Sequence, residues 1–355
     1  MNIAYRLLKA RTKYGNFLTS TTRNNSSSAF VSTAYTQFTQ ISITAAANAD
    51  LDYIEQHKDD LFKDFIRNET YYFRQQGQPN TLQSRQNTKV VLGLSGGVDS
   101  AVSALLLQSR GYNVNCTYMI NWDISDEKGK HDCPQTVDLR DAMKVCKHLG
   151  LKFSKVQYIE DYWNGVFMPM LEDYKSGITP NPDILCNSKV KFGSFLDTCR
   201  QSYKADIVAT GHFARLSPPD HSESTSAQHT LLKGVFTLKD QSYFLAGVNT
   251  KKFKHVFFPV GGLTKDQVRD IAQQYKLPNA KKRDSVGICF VGKKRKFSDF
   301  LAEYIETSSG KFVDIETNKV LQVEKSMPFL TIGQKASIGG EPHKWYVCDK
   351  DPRLN

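Results

Sequence analysis

The sequence predicts an α/β protein with a doubly wound parallel sheet. Short apolar segments typical of buried strands alternate with longer segments in which apolar residues recur at helical spacing. The clearest strand, KVVLGL (89–94), runs through SGGVDS (95–100) directly into a helical segment. Ligands of such sheets bind beyond the carboxyl ends of the strands, so we expect a functional site at this edge.

Each strand and helix is predicted from a pattern of neighbouring residues. The apolar, β-branched segments 89–94, 114–122, 152–159 and 205–212 predict four strands. Helical spacing followed by glycine predicts one helix that stops at Gly111 and another over 137–150. Further helices are predicted over 189–199, 263–277 and 297–305, a hairpin over 229–248, and strands of a small β-rich domain within 311–323 and 326–334.

Length and composition exclude several classes of protein. The chain has 355 residues, a formal net charge of +11 and an odd number of cysteines, seven. It contains no run of about 18 apolar residues, so we expect no membrane-spanning helix. Few cysteines argue against a secreted disulfide scaffold, and the basic excess suggests a polyanionic partner.

The basic excess is concentrated at the N-terminus. Residues 1–49 contain five Lys or Arg, fourteen Ser or Thr and no Asp or Glu. This composition predicts a mitochondrial transit peptide and a matrix location; a basic tail without structure is the alternative. Residues 50–88 are expected to form an amphipathic helix and a polar linker, 89–295 the catalytic domain and 296–355 a central domain.

SGGVDS has the chemistry of a phosphate-binding turn. Gly96 and Gly97 permit close backbone approach, Ser95 and Ser100 offer hydroxyls, and Asp99 would act on phosphate through Mg²⁺. The GK[ST] of ordinary P-loops is absent, and a generic glycine turn is the alternative interpretation. Met119 and Gly211 end two further predicted strands, so they are expected at the same edge, where core packing would also explain them.

Two of the cysteines have unusual surroundings. Cys186 follows Pro180, Pro182 and Asp183 in a segment predicted to be a stiff loop before a helix. Cys289 lies between two clusters of basic residues, which favour the reactive thiolate. Composition alone favours structural roles for both. No cysteine or histidine spacing suits a structural metal site, because Cys146 and His148 point to different sides of their predicted helix.

Six motifs in order resemble one family. They are SGGVDS, TPNPDILCN (179–187), ATGHFAR (209–215), KDQSYFL (239–245), AKKRDSVGICF (280–290) and TIGQK (331–335). SGGVDS resembles the loop of the PP-loop ATP pyrophosphatases. The ordered set resembles the tRNA-specific 2-thiouridylases, and with the transit-like N-terminus the mitochondrial form matches best.

The resemblance implies a role for each site. ATP would bind Gly93, Leu94, Ser95, Gly96, Gly97, Val98, Asp99 and Ser100, with Met119 and Gly211 completing its pocket. The wobble uridine would lie at Asn181, Pro182 and Asp183, and the tRNA would also contact Lys239, Asp240 and Gln241. Lys281–Arg283 and Lys293–Lys296 are additional candidates for phosphate contacts, with a solvated surface as the alternative.

The resemblance also implies the sulfur chemistry. Cys289 would carry a persulfide received from a sulfur-donor protein, and Cys186 would be the nucleophile. Either Cys186 releases sulfide from that persulfide, or the persulfide attacks the base and Cys186 resolves it. Asp183 is the candidate acid or base, with capping of its loop as the alternative.

The sequence departs from the family in two places. TIGQKASIGG lacks the arginine expected after TIGQ, and the chain ends at Asn355, before the expected C-terminal β-barrel. Two alternatives therefore stay open: another PP-loop ligase, which would leave the two cysteines unexplained, and a truncated, non-catalytic tRNA-binding homologue.

Overall fold

The computed structural model describes residues 82–122, 134–217, 229–284, 297–306, 310–323, 327–341 and 343–352. Their strands are β1 (Lys89–Gly93), β2 (Asn113–Ile120), β3 (Lys152–Gln157), β4 (Ile207–Thr210), β5 (Ala214–Leu216), β6 (Leu231–Lys233), β7 (Val256–Phe257), β8 (Lys311–Val313) and β9 (Val320–Val323). A five-stranded parallel sheet has the order β3-β2-β1-β4-β7, and β5-β6 and β8-β9 form antiparallel pairs.

Helices and helical turns make up most of the remaining described structure. The α-helices are α1 (Leu82–Asn87), α2 (Val98–Ser109), α3 (Pro134–Leu149), α4 (Ile159–Tyr162), α5 (Met168–Lys175), α6 (Pro182–Leu185), α7 (Leu196–Gln201), α8 (Lys265–Gln274) and α9 (Phe297–Leu301). A π-helical turn, Trp163–Phe167, joins α4 to α5, and a helical segment with a break at Gly193, Cys186–Phe195, joins α6 to α7. Four 3₁₀ turns cover Thr237–Lys239, Ser242–Leu245, Thr250–His255 and Met327–Phe329.

The sheet explains why its strands read as continuous apolar runs. β1 pairs in parallel with both β2 and β4, and Val90, Val91 and Leu92 are all buried. A strand covered on both faces keeps apolar residues at successive positions instead of alternating with polar ones. Successive strands are added on one side of β1 as far as β3, and then on its other side from β4 onward. This change of side between β1 and β4 is a switch point, which places a ligand crevice at the carboxyl ends of these two strands. The predicted doubly wound sheet is confirmed.

Two helix ends match the glycines that predicted them. Gly111 and Gly150 have φ of +84° and +65°, a backbone conformation that glycine adopts without strain after a helix. Pro182, in contrast, begins α6 instead of preventing a helix, because proline suits the first helical position. Cys186 therefore lies in continuous helical structure and not in the predicted stiff loop.

The predicted hairpin over 229–248 is wrong. Leu231–Lys233 pairs with Ala214–Leu216, and residues 237–239 and 242–245 form 3₁₀ turns. The carboxylate of Asp240 accepts hydrogen bonds from the backbone N–H groups of Gly234 and Ser242, which folds the chain back. Met327–Phe329 likewise forms a 3₁₀ turn inside the segment predicted as a strand over 326–334.

The main core lies between the sheet and the helices from α4 to α7. Its largest fully buried side chains include Phe167, Phe192 and Phe195, which pack with residues of β1, β4 and α9. The smaller β-rich unit after residue 310 contains the β8-β9 pair and a bridge between Lys335 and Tyr346. In the described part of the chain, no helix has the length and apolar character needed to cross a bilayer.

Candidate active site

The loop 95–100 lies at the carboxyl end of β1. Gly97 caps the N-terminus of α2, a helix of 12 residues that starts at Val98. Leu94 donates its N–H to the carbonyl of Thr117 on β2 at 2.9 Å, which continues the sheet up to the loop. The loop therefore presents backbone N–H groups and a helix N-terminus at the crevice, an arrangement that favours anions.

The polar groups of this loop bond weakly to one another. The Oγ atoms of Ser95 and Ser100 are 3.1 Å apart, and Ser95 N–H donates to Ser100 Oγ at 3.2 Å. Gly97 N–H lies 3.4 Å from Ser95 Oγ. Hydrogen bonds of this length exchange readily for shorter, charge-assisted bonds to phosphate oxygens. The residues present therefore fit a phosphate group.

Not every residue predicted to bind ATP can use its side chain. Leu94 and Val98 are buried, so only their backbone can face a ligand. Met119 Cε lies 3.5 Å from where a Cβ on Gly93 would be, at the end of β1. A Cβ on Gly211 would lie 2.7 Å from the N of Ser100, so close packing of β4 on α2 already requires glycine there. A nucleotide contact by Gly211 stays a prediction.

Asp99 has a partner that the sequence did not reveal. Lys265 Nζ, at the start of α8, donates to Asp99 Oδ1 at 2.5 Å and lies 5.7 Å above the ring of Phe213. Burial raises the pKa of the Asp99 carboxyl, and its hydrogen bond and charge interaction with Lys265 offset the effect only in part. Asp99, whose side chain is only partly exposed, is therefore held against the buried ammonium group of Lys265.

Asp284 joins this pair to further basic residues. Its carboxylate accepts Lys239 Nζ at 2.8 Å, Lys265 Nζ at 2.9 Å and Arg269 Nη2 at 2.6 Å. Burial alone would raise the pKa of Asp284, but the hydrogen bonds from Lys239 and Lys265 hold it at about 2. Asp284 is thus ionised at neutral pH and links the loop acid to Lys239.

We expect Asp284→Asn to lower the free energy of unfolding at pH 7 by about 1–2 kcal/mol, because it leaves three cations without their shared carboxylate in a partly exposed site. The stability from a depressed carboxyl pKa is present above the unfolded pKa near 4 and is lost toward pH 2. Urea unfolding at several pH values should therefore show the difference between wild type and variant shrinking over that window.

Asp266→Asn is the matched control for this prediction. Asp266 is exposed in the first turn of α8, so its loss removes only a favourable helix-end charge, about 0.3–1 kcal/mol. A difference between Asp284→Asn and wild type that persists undiminished at pH 2 would contradict the ion-pair explanation.

Residues 181–183, which were predicted to bind the uridine, form the N-terminus of α6. Asn181 Oδ1 accepts the N–H of Asp183 and caps α6, while Pro182 is buried at the first helical position. The capping side chain is thus Asn181, and not Asp183 as the structural alternative proposed. Asp183 itself is exposed, so its carboxylate is accessible to a substrate.

The helical turn that contains Cys186 packs on the same sheet edge as the loop. Near its end, Phe195 Cε1 lies 3.5 Å from where a Cβ on Gly93 would be, and the Phe192 ring is 5.9 Å from that of His212. Cys186 lies nine residues before Phe195, on the other side of a break in the helix at Gly193 (φ −103°, ψ −108°). It is 5% exposed. The loop and Cys186 thus lie on different elements, and the element that begins at Cys186 reaches the end of β1 through Phe195.

The side chains predicted to contact tRNA have protein partners. Lys239 pairs with Asp284, and Asp240 bonds to Gly234 and Ser242. Gln241 Oε1 accepts the N–H of Phe213. The next turn is held beside α6, because Asn187 Nδ2 donates to the carbonyl of Phe244 at 2.9 Å. A tRNA contact here stays a prediction and would involve residues that also hold the 237–245 turns.

Several predicted features lie outside the described residues. These are the transit segment, the helix expected within residues 50–88, Cys289 and the basic cluster Lys293–Lys296. Within the described ranges, no three His, Cys, Asp or Glu side chains are grouped as ligands for a metal ion. Cys116 and Cys146 are both buried, as cysteines that pack in a core are.

Comparison with known proteins identifies relatives along most of the chain. The family described as "tRNA methyl transferase HUP domain" matches residues 88–293, and "tRNA methyl transferase PRC-barrel domain" matches residues 298–355. The tRNA-specific 2-thiouridylase MnmA of Pectobacterium carotovorum is 42% identical over 280 residues, 77% of this chain and 74% of the relative. The human mitochondrial tRNA-specific 2-thiouridylase 1 is 42% identical over 281 residues, 74% of this chain and 66% of the relative.

A solved structure also aligns with the chain. An NMN synthetase from Francisella tularensis aligns with a TM-score of 0.33 and 16% identity, covering 59% of this chain and 71% of the synthetase. A superposition of this quality carries no argument about function.

Proposed function

The chain belongs to the tRNA-specific 2-thiouridylase family, and from this premise we propose that it replaces the C2 oxygen of the wobble uridine in mitochondrial tRNAs with sulfur, using ATP. The observation that carries the proposal is the hydroxyl- and N–H-lined loop 95–100 at the sheet's switch point, with Cys186 on a helical element packed at the same edge. One centre would activate the base, and the other would deliver sulfur.

When the base is activated, the loop would bind the leaving group, pyrophosphate. Backbone N–H groups and the hydroxyls of Ser95 and Ser100 would hold the β- and γ-phosphates, leaving the α-phosphorus open. The uridine C2 oxygen bonds to that phosphorus as the bond to pyrophosphate breaks. The base is then adenylated, and its oxygen can leave with AMP.

Mg²⁺ would accompany ATP and neutralise charge on the departing pyrophosphate. Asp99 is the carboxylate of the loop that could hold it, in exchange for its bond to Lys265. Lys265 would then remain paired with Asp284 and stay close to the loop.

Sulfur delivery would involve Cys186 and a persulfide on Cys289. In one route, the Cys186 thiolate attacks the persulfide, a Cys186–Cys289 disulfide forms, and hydrosulfide attacks C2. In the other, the terminal persulfide sulfur attacks C2 and Cys186 then forms the same disulfide. Both routes need a two-electron reductant to regenerate the thiols.

The partners and location follow from the same proposal. A sulfur-donor protein would load Cys289, and the anticodon arm would contact the surface near Asn181–Asp183 and Lys239. We assign residues 1–49 to mitochondrial import, 50–88 to a helix and linker, 89–295 to the catalytic domain and 296–355 to a central tRNA-binding domain. The name of the human relative and the basic, acid-free N-terminus support a mitochondrial location.

We expect the purified protein, given ATP, Mg²⁺, a persulfide donor and a tRNA with uridine at the wobble position, to release AMP and form 2-thiouridine. Asp99→Asn should lower AMP release by about a hundredfold, as for loss of one preorganised electrostatic contact. Nucleoside mass spectrometry and AMP quantification measure the two products. The control tRNA carries cytidine at the wobble position, and equal AMP release with both tRNAs would contradict the assigned substrate.

A further inference from the structure

The carbonyl oxygen of Gly96 is held by two side chains from a distant part of the chain. Asn279 Nδ2 donates to it at 3.0 Å and Lys282 Nζ at 3.1 Å. Both residues lie more than 180 positions after Gly96 in the chain, beyond α8. Turning this carbonyl away would break both hydrogen bonds at once and leave the buried Asn279 amide without this acceptor.

Holding this oxygen also fixes the direction of the next N–H group. In a planar trans peptide, the carbonyl of Gly96 and the N–H of Gly97 point in opposite directions. The Gly97 N–H accordingly lies on the side of Ser95 Oγ, at 3.4 Å, among the hydroxyls of the loop. With the peptide turned over, a carbonyl oxygen would face the phosphates in place of a donor.

All three hydrogen-bond donors of the Lys282 ammonium group have acceptors in this arrangement. An ammonium group has three donors, and Lys282 Nζ uses them on Gly96 O, on Asp138 Oδ1 at 2.7 Å and on Asp141 Oδ2 at 2.6 Å. Burial alone would lower the pKa of Lys282, but its bonds to Asp138 and Asp141 raise it overall, so the group stays charged. Its neighbours Lys281 and Arg283 are exposed.

We propose that Lys282 and Asn279 are positioning residues for ATP binding: they hold the Gly96–Gly97 peptide with its N–H toward the phosphates. Lys282 thus has a different role from the tRNA contact suggested by its basic neighbours. The inference rests on the proposed function only in taking ATP as the ligand of the loop.

The test uses equilibrium binding of ATP with Mg²⁺, and separately of tRNA, to the full-length protein. Lys282→Met should raise the Kd for ATP about tenfold, the size expected for loss of one charge-assisted hydrogen bond. The Kd for tRNA should change by less than about twofold, since this side chain does not reach the surface contacts. Lys281→Met and Arg283→Met are matched controls that should leave the Kd for ATP unchanged.

A charge-balanced variant separates positioning from simple electrostatics. Lys282, Asp138 and Asp141 together carry one net negative charge, and Lys282→Met makes this two. Lys282→Met combined with Asp141→Asn returns the local charge to one negative without restoring the bond to Gly96. Positioning predicts that this double variant still binds ATP weakly; recovery of wild-type affinity would overturn it.

Asn279→Asp keeps the test decisive if the lysine variants do not fold, as judged by urea unfolding. It retains the shape of the side chain but cannot donate to Gly96 O, so the Kd for ATP should again rise. If the wild type itself fails to bind ATP, the proposed function is overturned. If the wild type binds ATP and both Lys282→Met and Asn279→Asp bind it equally well, only the positioning role is overturned.

Discussion

Gly96→Ala is expected to abolish ATP binding and to destabilise the fold by about 2–5 kcal/mol. Gly96 has φ of +78°, and a Cβ there would lie 2.2 Å from the carbonyl oxygen of Asp138 on α3. The left-handed backbone costs an alanine about 1–2 kcal/mol, and overpacking adds about 1–3 kcal/mol. Relief of the clash moves either the loop or α3, and both are joined through Lys282.

The effect on ATP should exceed the effect on stability. The N–H groups of the loop must point at a common phosphate position, and a shift of about 1 Å is enough to cost a hundredfold in function. We therefore expect the Kd for ATP to rise at least about a hundredfold. Equilibrium binding and urea unfolding measure the two effects separately.

Gly150→Ala separates backbone strain from the steric clash. Gly150 also has a positive φ, +65°, but a Cβ there would meet nothing within 4 Å. This variant should lose about 1–2 kcal/mol of stability from backbone strain alone and bind ATP as the wild type does. If Gly96→Ala behaves like Gly150→Ala, close packing of the loop on α3 does not control nucleotide binding.

Local sequence patterns predicted the sheet and the position of the loop. The run KVVLGL is continuously apolar because β1 is covered on both faces, and Gly111 and Gly150 end helices with positive φ. Strand, glycine turn and helix then place SGGVDS at the switch point. These features depend on residues close in sequence, so the spacing of apolar residues and the glycines that end helices were sufficient to predict them.

The charged network around the loop could not be predicted in this way. Lys265 reaches Asp99 across 166 positions, and Lys282 reaches Asp138 across 144. Periodicity identifies the buried face of an element but carries no information about which distant charges meet. The cluster 281–283 consequently looked like a uniform basic surface, whereas its middle residue points at the loop.

The wrong hairpin has a related cause. Alternating apolar residues in 229–248 suggested strand periodicity, but Asp240 and Gln241 satisfy backbone groups with their side chains. Such side-chain bonds compete with a strand ladder and convert the segment into 3₁₀ turns. The same turns pack beside α6, so the error concealed the link between the 237–245 segment and the neighbourhood of Cys186.

Cys186→Ala is expected to abolish multiple-turnover thiolation, by at least about a thousandfold, because both sulfur-transfer routes need this thiol for each cycle. Pyrophosphate release by the first adenylation should persist, since the loop that would hold ATP lies on a different element, whereas AMP release should stop with thiolation because sulfur is what displaces AMP. The matched control is Cys199→Ala in α7. Cys199 is fully buried, burial raises the pKa of its thiol to about 12, and its loss should lower stability by about 1 kcal/mol without affecting thiolation.

A single-turnover experiment with Cys186→Ala distinguishes the two routes. If the persulfide on Cys289 attacks the base directly, the persulfide-loaded variant should trap about one tRNA per enzyme as a disulfide between Cys289 and the thiolated base, because no Cys186 thiol cleaves it, and a reductant added after denaturation should then free 2-thiouridine. If Cys186 must first release hydrosulfide, the loaded variant should form none, and added sulfide should restore thiolation. Repeated turnover of Cys186→Ala with the persulfide donor alone would contradict both routes and remove Cys186 from the sulfur-transfer step.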